Sequence, residues 1–161
     1  LDSEYLYSKF REYLKKYDKE FDEKISSFDE EYNKKIFFEL KTRIRYFEFK
    51  NFVSFFYDEP KLLQKDILMN KKMKIDDLET VKKFEIALDI LNSRNSDFLS
   101  VDEIKNIFME KILENNMKNG QVLWPVRCTL SEEYSPGALE LIYILVEESK
   151  KRIQNNLNNL A

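Results

Sequence analysis

Two glycines and three prolines among 161 residues leave this chain few ways to reverse direction tightly. Average usage, about 7% and 5%, would supply roughly 11 and 8. Sandwiches and barrels spend such residues at their many turns, so the sequence predicts an all-α fold. Thirteen Phe and nine Tyr offer more apolar surface than a solvated, disordered chain carries. No uncharged run approaches the roughly 20 residues that span a bilayer, so no membrane partner is expected. At this length the chain makes one domain or two small helical ones.

Apolar spacing places the helices. Leu6, Phe10, Tyr13, Leu14 and Tyr17 recur at three- and four-residue steps and predict a helix over 4–18. Ser27 with Glu30 forms an S-x-x-E capping box, and Tyr32, Ile36, Leu40, Ile44 and Phe47 extend a long helix over 28–46. After a break near 46–48, Phe49, Phe52, Val53 and Phe56 continue the pattern until Asp58-Glu59-Pro60 stops it. Residues 61–75 read as a short helix and a connection. Asp76 and Glu79 cap a helix over 77–92. The small polar stretch Ser93–Ser96 marks a boundary, giving subdomains 1–93 and 94–161. Ser100 and Glu103 start a helix over 101–118, with Gly120 at its C-terminal cap. Residues 121–134 hold Pro125 and β-branched residues and read as an extended, irregular segment. Ser135 as N-cap and Pro136 at the first helical position restart a helix to about 148. Ile153, Leu157 and Leu160 mark a last short one.

The chain has no histidine, which removes the commonest general base, the His-activated nucleophiles and the commonest zinc ligand. Asp76-Asp77 and Glu147-Glu148 are adjacent on helices, so their carboxylates diverge instead of sharing a site. No catalytic residue and no metal ligand is therefore expected. Cys128, the single cysteine, cannot form an intrachain disulfide, which fits a reducing, cytoplasmic location. Leu1-Asp2-Ser3-Glu4 resembles neither a secretory signal nor a transit peptide, and a start without Met suggests a segment of a longer protein. A net charge of −3 excludes a strongly basic nucleic-acid binder, so any polyanion site must be local.

The segment around the only tryptophan carries the most information. Arg127 can offer a flat fork of donors to a base edge or a phosphate. Ser135, at the next helix start, adds a hydroxyl and backbone N–H groups. The other reading of the same residues makes Trp124 and Val126 core filler, Pro125 a turn and Arg127 an ion-pair partner.

The run Lys118-Asn119-Gly120-Gln121-Val122-Leu123-Trp124-Pro125-Val126-Arg127-Cys128-Thr129-Leu130, then Ser135-Pro136-Gly137 and a helix with Glu140, closely resembles the C-terminal region of bacterial-type glutamyl-tRNA synthetases. That family's pattern is K-x-G-K/Q-V-x-x-P-L-R-V-A-L-T-G, then S/T-P-G, an apolar helix containing Glu, and a closing R-I/L. Phe55-Phe56-Tyr57-Asp58 is similar to its aromatic-acidic stretch, and Phe98-Leu99-Ser100-Val101-Asp102-Glu103 to its F-T-x-E helix start. The similarity runs through essentially the whole chain in order. Departures occur at Ser131-Glu132, where the family has T-G, and at Val146-Glu147-Glu148, where it has G-K-E/T.

The resemblance implies two helical subdomains that bind the anticodon loop of tRNA(Glu). It implies that Arg127 matches the arginine of P-L-R, and that Ser135, Pro136, Gly137 and Ala138 match the loop and helix start that contact anticodon bases. The family's other anticodon arginine falls on Arg43 or Arg45. The family's catalytic domain, which ligates glutamate to tRNA(Glu) with ATP and Mg, carries a His-Ile-Gly-His-type and a Lys-Met-Ser-Lys-Ser-type signature. This chain holds neither, since Lys71-Lys72-Met73-Lys74 lacks the serine. The chain alone is thus expected to be a non-catalytic, cofactor-free monomer whose partners are tRNA and its own catalytic domain. The alternative from another class is a helical protein-interaction module presenting the Phe47–Phe56 aromatic stripe.

Overall fold

The computed structural model describes residues 2–42, 45, 48–59, 77–93, 100–131 and 137–160, and every regular element among them is a helix. The all-α expectation holds. The chain divides into two units, Leu1–Glu59 and Pro60–Ala161.

In the first unit α1 (Ser3–Tyr17) buries Tyr7, Phe10 and Leu14 at helical spacing. Its cap is Asp2, whose side chain accepts from the Glu4 N–H. Asp18 serves two helices: its N–H closes α1 on the Leu14 carbonyl, and its carboxylate caps α2 (Lys19–Ser26) by accepting from the Phe21 N–H. The expected Ser27–Glu30 box does not start the next helix. Ser27 Oγ instead donates to the Lys24 carbonyl at the end of α2, and Asp29 caps α3 (Glu30–Leu40) through the Glu31 N–H. The long helix expected over 28–46 ends at Leu40, where Lys41 and Thr42 turn the chain. A short α4 (Phe49–Val53) and a 3-10 turn (Ser54–Phe56) follow.

Aromatic rings fill this unit. Phe10 stacks on Phe37 at 5.0 Å between centroids and meets Phe49 at 4.8 Å. Buried polar groups find partners: the Asn33 amide donates to the Ile25 carbonyl and its oxygen accepts from Tyr57 OH, both at 2.8 Å. Arg11 joins three helices by donating to Asp22 (2.9 Å), Tyr7 OH (3.0 Å), Glu30 (3.2 Å) and Ser26 Oγ (2.5 Å). Burial pushes the Tyr7 phenol up to about 12, with the Glu30 carboxylate adding to the shift and Arg11 opposing it.

The second unit contains α5 (Asp77–Asn92), α6 (Val101–Glu114), α7 (Asn119–Ser131), α8 (Ala138–Leu145) and α9 (Glu147–Leu160). The sequence put a boundary at 93/94, but α5 buries Phe84, Ala87, Ile90 and Leu91 and packs on α7 and α9. Its apolar face is completed by helices on the far side of the polar linker, so α5 belongs with them. Ser100 caps α6 by accepting from the Glu103 N–H. The helix ends four residues before the expected 118. Asn116 takes a left-handed φ of 56°, and its N–H and that of Met117 reach back to the Leu113 and Ile112 carbonyls, a Schellman end that asparagine tolerates. Gly120, expected as the cap, lies inside α7.

The largest correction concerns the segment expected to be extended. Residues 121–131 are helical, and the remaining 132–134 lie outside the described residues. The Gln121 side chain accepts from the Lys118 N–H, which is half of a capping box. Pro125, in the helix interior, forgoes a bond to the Gln121 carbonyl and costs about 3 kcal/mol. Val122, Pro125, Val126, Thr129 and Leu130 are buried, at steps of three and four that only a helix turns to one side. At about 1.5–3 kcal/mol for each large apolar side chain, burial of Val122, Val126 and Leu130 outweighs the proline.

Helix α8 begins at Ala138 with Gly137 as N-cap; the cap expected at Ser135 and the first helical position expected at Pro136 lie outside the described residues. Nearly all of α8 is apolar, and five of its eight residues are buried. Val146, with φ 50° and ψ −115°, separates it from α9, which is longer than the short last helix expected.

Candidate nucleic-acid interface

Helix α7 sets Arg127 one turn after Trp124, and the guanidinium carbon lies 4.7 Å from the centre of the indole ring. Both side chains are half-buried. Val122 and Val126 lie on the other side of the helix and are fully buried. Ser131 Oγ donates to the Arg127 carbonyl and Thr129 Oγ1 to that of Val126. Both are back-bonds to carbonyls three and four residues earlier, which satisfy buried hydroxyls within the helix itself.

Arg152, to which the sequence reading gave no role, is 2% exposed and donates from Nη1 to the Leu130 carbonyl at 2.8 Å. Its Nε reaches Glu148 at 3.3 Å. The i−4 carboxylate was a readable signal for the ion pair, whereas the Leu130 contact had none in local sequence.

Helix α8 packs against α7, which brings Gly137 and Ala138 into the same unit as Arg127. Gly137 sits at an extended φ of −67° and ψ of 163° with no side-chain cap bond. The Glu140 carboxylate folds back so that Oε2 lies 2.8 Å from where a Cβ on Gly137 would be. Ala138 is buried. Ser135 and Pro136 lie outside the described residues, as does Arg43. Arg45 belongs to the first unit, is exposed, and accepts from the Glu48 N–H through its carbonyl.

The aromatic stripe that suggested a protein-binding face is core: Phe49, Phe55 and Phe56 are buried, and Phe52 alone of the described rings in it is exposed. Among the described residues no group of three or more Cys, Asp or Glu could hold a metal ion, and no helix is long and apolar enough to cross a membrane.

The whole chain superposes on 30% of a glutamate tRNA ligase from Elizabethkingia meningosepticum, solved in complex with its amino acid, with a TM-score of 0.72 at 20% identity. The fold is therefore of the all-helical class found in tRNA ligases. The chain belongs to the anticodon binding domain family, whose sequence profile matches residues 5–157. Glutamate–tRNA ligases of Lachnoclostridium phytofermentans and Clostridium acetobutylicum are 37% and 35% identical to it over 128 and 138 residues. These alignments take in 76% and 79% of the chain, and 25% and 26% of the ligases. The chain thus spans about a quarter of the length of these relatives.

Proposed function

We propose that this chain is the part of a glutamate–tRNA ligase that reads the anticodon loop of tRNA(Glu), with glutamate activation by ATP and Mg carried out by a separate catalytic domain. The observation that carries this reading is the family match over residues 5–157 together with ligase relatives at 35% identity and above. In this reading the protein is a cytoplasmic monomer.

Single-stranded anticodon bases are splayed out and can be read by stacking and by edge hydrogen bonds. A few oriented donors suffice, which accommodates a net charge of −3. Arg127 supplies a planar fork for a base edge or phosphate. Gly137 and Ala138 at the start of α8, with Ser135 and Pro136 before them in the sequence, are the further candidate contacts of the second unit, and Arg43 or Arg45 is the candidate of the first. Phosphate contacts provide most non-specific affinity, so a chain this acidic binds weakly to unrelated RNA.

The test is a titration of the 161-residue chain with transcribed tRNA(Glu), with its single anticodon variants and with a tRNA of unrelated anticodon. Preference for tRNA(Glu), blurred at one anticodon position by Arg127→Ala, is expected. Equal binding to all the transcripts would overturn the reading.

A further inference from the structure

We infer that Trp124 is a positioning residue for anticodon reading: its indole face holds the Arg127 guanidinium flat, so that the arginine offers its donors in one orientation. The inference rests on Arg127 as an anticodon contact and adds what makes that contact selective.

Three observations carry it. The guanidinium carbon stands 4.7 Å from the ring centre, well inside the roughly 6 Å over which a cation is held by a ring face. The two residues are three apart on α7, the spacing at which helical side chains meet. The indole Nε1 is buried and has no hydrogen-bond partner in the described structure. That last point separates two explanations for the tryptophan. As filler, Leu or Phe would occupy the position without burying an unpaired donor. What Trp supplies beyond them is the broadest π face, the best platform for a cation.

The physical consequence concerns entropy and aim. An arginine has a long stem with many rotamers, and freezing it on binding costs free energy. A guanidinium held over a ring face has lost part of that freedom, and on this proposal the ring also sets the plane of its fork. Reading a base edge needs that plane, because two parallel N–H groups must meet two acceptors. Contact with a phosphate tolerates far more rotation. Trp124 therefore acts on discrimination between bases more than on total affinity, and it does so through Arg127 without touching RNA.

Trp124 is the only tryptophan, so its fluorescence reports on the pair directly. The experiment measures binding of the wild-type chain, Trp124→Phe, Trp124→Leu, Arg127→Ala and the Trp124→Leu/Arg127→Ala double variant. The probes are transcribed tRNA(Glu) and its single anticodon variants, and folding is checked by circular dichroism. Trp124→Leu is expected to lose discrimination at the same anticodon position as Arg127→Ala, by about fivefold, while Trp124→Phe keeps it within about twofold. The double variant should be no worse than Arg127→Ala, as required of residues that act as a unit. Arg127→Ala should also alter Trp124 emission in the free chain. Where Trp124→Leu fails to fold, Trp124→Met fills the volume without a ring and takes its place.

If Arg127→Ala blurs discrimination and the ring-less variants do not, the positioning role falls and the anticodon contact stands. If Arg127→Ala has no effect, both fall. A uniform loss across all the transcripts in Trp124→Leu would make Trp124 a structural or non-specific contact and overturn the inference.

Discussion

Arg152 donates a 2.8 Å hydrogen bond from Nη1 to the carbonyl oxygen of Leu130, tying α9 to the last turn of α7. The carbonyls of a helix's last turn lack partners within the helix and carry the negative end of its dipole. A buried guanidinium satisfies both, and Glu148 at 3.3 Å balances its charge. The helix that carries Trp124 and Arg127 is thereby held at the end where its own hydrogen bonds run out.

Arg152→Met keeps most of the stem volume but leaves the Leu130 carbonyl buried without this donor. A loss of about 2 kcal/mol is expected, the scale of an unsatisfied buried polar group, measured by urea unfolding. Arg152→Lys should recover only part, because one ammonium does not reproduce the planar fork. Equal stability of all three proteins would show that the bond contributes nothing.

Gly137→Ala probes the start of α8. The added Cβ meets only the far end of the Glu140 side chain, at 2.8 Å, and the backbone conformation suits any residue. Stability should change by less than about 1 kcal/mol, since lost unfolded-state freedom offsets a weaker cap. Binding of tRNA(Glu) should fall if RNA approaches this backbone closely. In a Glu140→Ala background the stability effect of Gly137→Ala should turn favourable, and a thermal-melt cycle would measure that coupling.

Val146 occupies a left-handed conformation, φ 50°, that a β-branched residue adopts only under strain. Val146→Gly should relieve about 1 kcal/mol or more of that strain and raise the melting temperature. A lower melting temperature would mean that the half-buried valine side chain contributes more by packing than its backbone costs.

The alkaline limb of stability should report on Tyr7. Its phenol is pushed from 10.0 up to about 12 by burial, so the folded state favours the neutral form. That contribution is fully present below pH 10 and is lost as the pH rises towards 12. Tyr7→Phe should flatten the decline in melting temperature over this window. At neutral pH it should cost about 1 kcal/mol for the hydrogen bond that Arg11 makes to the hydroxyl. An unchanged alkaline slope in Tyr7→Phe would remove Tyr7 from the explanation.

Local signals were readable where one segment contained its own answer. Ser100 with Glu103 began a helix as expected, and α5 occupies the 77–92 that its apolar spacing predicted. They failed where two local solutions competed. Ser27 was expected to cap α3, but its hydroxyl donates to the Lys24 carbonyl at the end of α2 and Asp29 makes the cap. Asn116 ended α6 before Gly120 could, since asparagine also accepts a left-handed φ. Arg127 was singled out by its motif, while its pairing with Trp124 went unread because an extended segment would have pointed the two apart.

Composition and spacing alone determined an all-helical chain and most of its helix positions, and the residue motifs around Arg127 carried the resemblance to a known family. Tertiary structure alone decided that 121–131 is a helix despite Pro125, that α5 joins the helices beyond the polar linker, and that Arg152 closes α7. The reason is common to all three. Helix propensity and capping act over a few residues and are written in neighbouring side chains. Burial of Val122, Val126 and Leu130, like the Arg152–Leu130 bond, draws its free energy from segments far apart in sequence, and that energy exists only once the chain has packed.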